Sequence, residues 1–535
     1  MTAELLAERP VELVDGTTVT VKSSLTLLSE SAHEYDLDTY AEHCGIPKAT
    51  IIELASRYAS HGRKAAVNCH GGMMSGNGFY AAFSVQMLNL LAGNYNMKGG
   101  SAVGGGTYSG TGEGPRYDLA NFPGKRAPQG VFLSRSRFPY EKSSEYQRKV
   151  AAGENPYPAR APWRSLAPPT LTEHLPSALD GYPYPIKAVI GCMANPIYGQ
   201  AGLKGVIVDK LKDPKRLGLF VAVDGFINET NRYADYIVPD SVMYEVWGFT
   251  GAWKGTLGKL TTACWPVVEP RQQKTAEGES VSMDSFFIAV AKRLGLPGFG
   301  DNAIPDAQGN LHPLNRAEDY YLRAAANIAF QEEPLPEADD ADVAHGGIAP
   351  LVPKIARTLK TDERARVAYL YARGGRFEDA SEHFIGEKLK YQWKQTLCVY
   401  NESVGTSIDT TNGLPNSGVP CHKLPQMANK QPMREVFSEQ EWPLLAFSFK
   451  SNLMNSYAIG SERLRMIKPY NPIQMHRQDA ERFGIQHGDT IRIESPGGSV
   501  VGLALVSESV IPGALGIEHG YGHRDLGATP HIIDG

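Results

Sequence analysis

The stretch KAVIGCMANPIYGQAGLKGVIVDKLKDPKRLGLFVAVD, residues Lys187–Asp224, carries the reading of the fold. Lys187 to Met193 is an apolar run of strand length that reads as buried. Leu203 to Lys212 repeats its apolar residues at helical spacing, and Leu217 to Val223 is a second apolar run. Strand, helix and strand in that order predict a parallel sheet with helices packed on it, because parallel neighbours need a crossover connection. The next segment, VAVDGFINETNRYADYIVP (Val221–Pro239), continues the pattern. A strand ends at Asp224, a polar loop carries Asn228, Glu229 and Thr230, and another apolar strand ends at Pro239. Ligands of open α/β sheets bind beyond the carboxyl ends of the strands. Asn195-Pro196 and Asp224 stand at two such ends. Taken singly, an Asn-Pro turn or a loop carboxylate is more often plain structure.

Upstream, Ile46 to Gly62 predicts an amphipathic helix with Pro47 at its start and Gly62 as its cap. A strand over Ala65–Cys69, a glycine-rich turn over His70–Gly78 and a helix over Phe79–Ala92 are expected next. No Asp, Glu, Lys or Arg occurs from Ala65 to Met97, which points to the interior. Gly99–Gly114 holds eight glycines and reads as a flexible loop. Phe138–Pro185, rich in Pro, Tyr and Arg, reads as a long surface excursion. Downstream, Ser282–Leu294 and Arg316–Phe330 predict helices, Glu332–Gly347 an exposed connection, and Val367–Tyr371 and Thr396–Tyr400 buried strands. The final segment changes character. Leu444–Phe449, Thr490–Glu494, Val500–Val506 and Ala514–Glu518 predict strands separated by Gly-Asp and Pro-Gly-Gly turns, a compact β-rich domain of small-barrel type.

A chain of 535 residues is expected to form about two to four domains. With 53 basic and 58 acidic side chains, it has no basic surplus of the kind nucleic-acid binding needs. Met1–Thr20 shows neither a secretory nor a twin-arginine signal, and no run of about 20 apolar residues would span a bilayer. The six cysteines, Cys44, Cys69, Cys192, Cys264, Cys398 and Cys421, include no C-x-x-C and no zinc or iron–sulfur spacing, so they read as buried free thiols. The run Gly251–Leu260 fails as a P-loop, since Trp253 and Leu260 occupy required positions. His519 and His523 sit in a glycine-rich segment, EHGYGHR. Two ligands are too few for a closed metal site, and contacts to an anionic cofactor suit them better. His70, beside Met73 and Met74, is by spacing alone a core histidine rather than a catalyst.

Taken together, several segments resemble one family. NETNRYADYIVPD (Asn228–Asp240), GCMANP (Gly191–Pro196), GNYNMKGG (Gly93–Gly100) and the pattern Asp479-Ala480…Gly484-Ile485…Gly488-Asp489…Ser495…Gly498 are similar, in order and spacing, to the dimethyl sulfoxide reductase family of molybdopterin oxidoreductases. Within it, SHGRKAAVNCHGGMMSGNGFY (Ser60–Tyr80), SALDGYPYPIKA (Ser177–Ala188), NRAEDYYLRAAANIAF (Asn315–Phe330) and IEHGYGHRDLGAT (Ile517–Thr529) resemble the branch formed by tetrathionate reductase catalytic subunits.

The resemblance implies an α/β fold: parts of Rossmann-like parallel-sheet domains over residues 1–440, then a C-terminal double-psi β-barrel dinucleotide-binding domain over 441–535. It implies a bis(molybdopterin guanine dinucleotide) molybdenum cofactor, which would carry the redox chemistry. Contacts to it are expected from Asn195, Asp224, Glu229, Thr230, Lys450, Ser451, Met454, Asp479, His519 and His523. His70 and Arg116 are expected to guide a small anionic substrate, tetrathionate, which would be reduced to thiosulfate. The family's 4Fe-4S cysteines and its molybdenum-ligating side chain have no match here. No metal ligand is therefore assigned, and the chain is expected to be incomplete and inert alone. The resemblance further implies two partners, an iron–sulfur electron-transfer subunit and one serving as membrane anchor, with a periplasmic site of action in anaerobic respiration. A thiosulfate, polysulfide, selenate or arsenate reductase, or an inactive dinucleotide-binding remnant, are the alternatives.

Overall fold

Leu219–Asp224 is the central strand of a three-stranded parallel sheet, flanked by Ala188–Cys192 and Tyr236–Pro239. The expected crossover helix is Leu203–Lys212, whose Leu203, Ile207 and Leu211 recur every fourth residue and pack under the sheet with Leu217 and Phe220. The central strand is buried from Phe220 to Asp224, whereas Ala188–Cys192, read as buried, is a half-exposed edge. The structure, a computed structural model, describes residues 4–69, 78–135, 138–163, 166, 171–200, 202–251, 253, 255–427, 429, 431–454 and 461–523.

Two units divide the chain. One comprises Met1–Gly130, Ser136–Pro168 and Ser241–Lys423; the other comprises Val131–Arg135, Pro169–Asp240 and Leu424–Gly535 and so contains the parallel sheet. The second unit also holds a five-stranded mixed sheet in the order Leu445–Phe449, Ala514–Glu518, Ile473–His476, Gly498–Ser507, Thr490–Ser495. All four strands expected in this region form. Ile473–His476, unread in the sequence, joins them, and its core is Ile473, Met475, Ala480, Ala504 and Leu515. The protein is thus a mixed α/β chain with a parallel sheet and a C-terminal mixed sheet. Among the described residues no helix is long and apolar enough to cross a membrane.

The first unit is organised around the helix Ala317–Phe330, in which Leu322, Ala324, Ala325, Ala326, Ile328 and Ala329 are fully enclosed. An antiparallel sheet, Gly375–Phe377, Leu260–Cys264 and Gly248–Gly251, and the helix Thr361–Ala372 contribute to the same core. The segment Val367–Tyr371, read as a strand, lies inside that helix. Five apolar residues cannot distinguish the two states by period. Asp362 and Glu363 in the first turn, favourable at a helix N-terminus, were the missed signal. Thr396–Tyr400 forms no strand and is largely exposed. Phe138–Pro185 is not an excursion: helices Ser144–Ala151 and Leu171–Leu179 lie in it, and Tyr140 and Trp163 are buried. Glu332–Gly347 is exposed, as expected, and contains a short helix, Asp340–His345.

Ala65–Cys69 is not a strand either. The amide side chain of Asn89 pairs with both the N–H and the C=O of Val67, and Asn94 donates to the Ala65 carbonyl, so side chains satisfy this backbone in place of a partner strand. The six cysteines are free, as read, but none is fully buried, and Cys44, Cys264 and Cys398 are exposed. Cys264 falls on the outward face of its strand, whose exposure alternates with period two.

Near the start of Ala317–Phe330, Glu279 accepts from the Ala317 N–H at 2.9 Å. Burial, with Glu318 and Asp284 nearby, pushes its carboxyl up to about 7. A carboxyl whose folded value lies above its unfolded value penalises the fold as pH rises through that interval. Glu279→Gln keeps the acceptor and removes the charge. It is expected to raise the stability of this unit by about 1–3 kcal/mol at pH 8 and hardly at all near pH 4.5, read from urea midpoints at the two pH values.

Candidate binding site

At the carboxyl ends of the parallel strands, the polar loop after Asp224 folds back on itself. Asp224 accepts from Phe226 N–H at 3.1 Å and from the Asn228 amide at 3.0 Å. Asn228 Oδ1 in turn accepts from the N–H groups of Thr230 and Asn231. Burial raises the Asp224 carboxyl above its ordinary range, and Asp240 adds to the rise against these donors. The loop is therefore fixed from within, and it presents Glu229 and Thr230 to the neighbouring strand end.

There they meet Asn195. Thr230 Oγ1 donates to Asn195 Oδ1 at 2.9 Å and accepts from Ile197 N–H at 3.0 Å, while Asn195 Nδ2 donates to Glu229 at 2.6 Å. The positive φ of 48° at Met193 turns the backbone out of the strand just before this point. The Glu229 carboxylate then faces His523 Nδ1 at 3.1 and 3.2 Å. A carboxylate can only accept, so Nδ1 carries a proton and Nε2 is left as the free ring atom. It is a lone pair in the neutral ring and a donor in the imidazolium. Tyr198 stacks on His523 with ring centroids 3.6 Å apart, and its hydroxyl ties down the Gly520–Tyr521 backbone.

Four of the sequence-assigned residues, Asn195, Glu229, Thr230 and His523, thus form one connected cluster, and Asp224 supports it through Asn228. Tyr198 was missed, although it lies three residues beyond Asn195 in the segment already singled out. His519 lies near the cluster, 6.0 Å from the Tyr198 ring, and burial, Lys450 and His523 hold its imidazole below the ordinary range.

The remaining assignments fall nearby in the fold or elsewhere. Ser451 accepts from the N–H groups of Leu453 and Met454 and donates to Glu518, which also pairs with Lys468. Glu518, only 3% exposed, and Lys468 were not singled out; nothing in their spacing marks them. Met454 is fully buried. Asp479 accepts from Gly513 N–H at 2.7 Å in the first turn of the helix Arg477–Phe483. In the other unit, Arg116 is held by Glu363 at 2.7 Å and Asp362 at 2.6 Å. His70 lies outside the described residues. Among those described, no group of three or more His, Cys, Asp or Glu is placed to hold a metal ion.

Two buried polar atoms of this region, His523 Nε2 and Gln200 Oε1, have no hydrogen-bond partner among the described residues. An unmet buried polar atom costs about 1–3 kcal/mol, so a ligand rich in donors and acceptors suits the place.

The family model described as the molydopterin dinucleotide binding domain matches residues 450–533. Over 534 residues, all of this chain, the sequence is 50% identical to the A subunit of tetrathionate reductase from Salmonella typhimurium, of which it covers 52%. It is 31% identical to the A subunit of selenate reductase from Mesobacillus selenatarsenatis, and 31% identical to the A subunit of tetrathionate reductase from Archaeoglobus fulgidus. In both cases 97% of this chain aligns, with 51% and 48% of the respective relative. The chain is thus homologous over its full length to the A subunit of tetrathionate reductase, and its C-terminal part matches the molydopterin dinucleotide binding domain. It spans about half the length of these curated relatives.

Proposed function

We propose that this chain forms part of the catalytic subunit of a tetrathionate reductase. The supporting observation is the 50% identity that runs through the entire chain rather than through one motif. In this reading a bound bis(molybdopterin guanine dinucleotide) molybdenum group would supply the two-electron redox chemistry that converts tetrathionate to two thiosulfates. Residues 441–535 act as a double-psi barrel that binds dinucleotide, and the 1–440 portion contributes the Rossmann-like part.

The residues of this chain bind and orient the group. His523 offers Nε2 to it. Glu229, Asn195 and Thr230 orient the imidazole, Tyr198 covers it, and Asp224 keeps the loop in place. Lys450 and His519 add cationic and donor groups beside an anionic cofactor, and Ser451, Met454 and Asp479 shape the adjoining turns. His70 and Arg116 are assigned to guiding the anionic substrate. Electrons arrive from an iron–sulfur subunit docked to a membrane anchor on the periplasmic side, through a 4Fe-4S cluster whose ligands this chain does not supply.

The test is a reduced-viologen assay on the assembled enzyme, with molybdenum measured in the same sample. Oxidation of viologen that depends on tetrathionate and yields two thiosulfates per tetrathionate is expected. A molybdenum-loaded enzyme that turns over selenate or arsenate and leaves tetrathionate untouched would overturn the substrate assignment.

A further inference from the structure

Two neighbouring parallel strands of the second unit, Leu445–Phe449 and Ala514–Glu518, end side by side, with Phe449 opposite Glu518. The residues that follow them, Lys450-Ser451 and His519-Gly520, therefore leave the sheet at one place, and the His519 N–H donates to the Phe449 carbonyl at 2.7 Å. Lys450 and His519 are the groups assigned above to an anionic ligand. They are close enough that the Lys450 charge, added to burial, holds the His519 imidazole below its ordinary range.

The same place holds a group of opposite sign. Glu518, the last residue of its strand, is only 3% exposed. A carboxylate beside an anion site opposes the ligand, and the low polarity around a buried charge strengthens the repulsion. The charge of Glu518 reaches its surroundings, since together with burial it pushes the Tyr521 hydroxyl up to about 12.

Every polar atom of Glu518 is engaged. Its backbone exchanges hydrogen bonds with the Asn471 side chain, the Asn471 amide donating to its carbonyl at 2.7 Å. One carboxylate oxygen accepts from the Ser451 hydroxyl and the other from Lys468 Nζ. A hydroxyl has a single proton, so once Glu518 takes it the lone pairs of Ser451 are left for the N–H groups of Leu453 and Met454, at 3.3 and 3.2 Å. The turn after Lys450 is thereby fixed. Lys468 is tied to the neighbouring segment twice, through its ammonium to Glu518 and through its carbonyl, which accepts from the Tyr521 hydroxyl at 3.0 Å.

We propose that Glu518 and Lys468 are a positioning pair for the dinucleotide: Glu518 fixes the turn after Lys450 through the Ser451 hydroxyl, and Lys468 cancels the carboxylate charge, so that Lys450 and His519 face an anionic ligand unopposed. The inference rests on the dinucleotide part of the reading above and on no property of the substrate. Both residues act through their neighbours. Their effects are unequal, because removing Lys468 alone leaves a buried, uncancelled carboxylate, whereas removing both charges leaves none.

The experiment follows the acid-releasable guanine nucleotide that stays with the assembled enzyme after dilution. Lys468→Met should lose it about tenfold faster or more, because the carboxylate then opposes the anion. Lys468→Arg keeps the charge and should stay within about threefold of the unaltered enzyme. The double variant Glu518→Gln/Lys468→Met carries no charge here and should also return to within about threefold. A pair that merely braced the fold would behave otherwise, since two lost partners would cost at least as much as one. Hydrogen exchange at residues 514–518 identifies the folded variants. Should Lys468→Met fail to fold, Lys468→Gln, which keeps a donor and drops the charge, carries the same expectation. Unchanged retention in the folded single variant, or a double variant as poor as the single one, overturns the inference. An unaltered enzyme that holds molybdenum and no guanine nucleotide overturns instead the dinucleotide reading on which it rests.

Discussion

Asn327→Ala is expected to destabilise the first unit by about 3–5 kcal/mol, a large share of the roughly 5–15 kcal/mol that holds an ordinary domain. Asn327 is fully buried on the helix Ala317–Phe330, and its side chain makes four hydrogen bonds to backbone. Its oxygen accepts from the N–H groups of Arg116 and Tyr117, and its nitrogen donates to the carbonyls of Gly110 and Tyr117. Truncation strands several of these groups away from water, and each carries its own desolvation cost. Asn327→Asp is a sharper probe: it keeps the acceptor but turns a buried carboxylate oxygen toward the Gly110 and Tyr117 carbonyls, so at neutral pH it should cost at least as much as alanine. Urea unfolding followed by tryptophan fluorescence gives both values. A loss below about 1 kcal/mol for the alanine variant would show that the loop is not held by this residue.

The same contact explains the glycines around it. The Gly99–Gly114 segment reads as a flexible loop, and it is irregular, but its glycines serve close packing. A Cβ on Gly114 would sit 2.2 Å from Asn327 Cγ, and one on Gly105 would sit 2.2 Å from the Gly258 carbonyl carbon. Neither neighbour can give way cheaply, the first because it is bonded four times and the second because it is backbone. A glycine-rich sequence is compatible with freedom or with crowding, and only the neighbours tell which.

The second large effect is expected at Glu229. Glu229→Ala removes the acceptor of His523 Nδ1 and the partner of Asn195 Nδ2 together. Charge-assisted hydrogen bonds are worth about 1.5–3 kcal/mol, so dinucleotide cofactor should be retained roughly 10- to 100-fold less well by the assembled enzyme. Glu229→Gln keeps one acceptor and should fall between. The guanine nucleotide released by acid from a known amount of enzyme gives the cofactor content, independent of turnover. The Tyr198→Phe variant separates positioning from stacking: the ring stays on His523, while the hydroxyl that holds the Gly520–Tyr521 backbone is lost. Full cofactor content in Glu229→Ala would remove this network from the binding site.

Much of the α/β frame was legible because its signals are local. The apolar runs at Leu217–Val223 and Ala514–Glu518, and the fourfold repeat of Leu203, Ile207 and Leu211, report period and length directly. Val367–Tyr371 was not legible, since a short apolar run is equally compatible with a strand or one face of a helix. The site was legible in part. Asn195, Glu229, Thr230 and His523 stand out as polar residues at strand ends or among glycines, while Lys468 and Glu518 are ordinary residues until the fold pairs them.

By itself, the sequence determined the parallel strand–helix–strand unit, the β-rich C-terminal region and the polar groups at the strand ends, because hydrophobic period and turn chemistry act between near neighbours. Only the tertiary structure decided that residues 195, 229 and 523 meet. Their contact depends on the placement of two sheets separated by almost three hundred residues, and no local preference encodes it. It also decided how far the charge-free run at 65–97 is enclosed where it is described: Tyr80, Met87, Asn89 and Asn94 are buried, while Leu88 and Leu91 are exposed. Composition records that such a segment must be covered, whereas what covers it depends on chain packed from elsewhere.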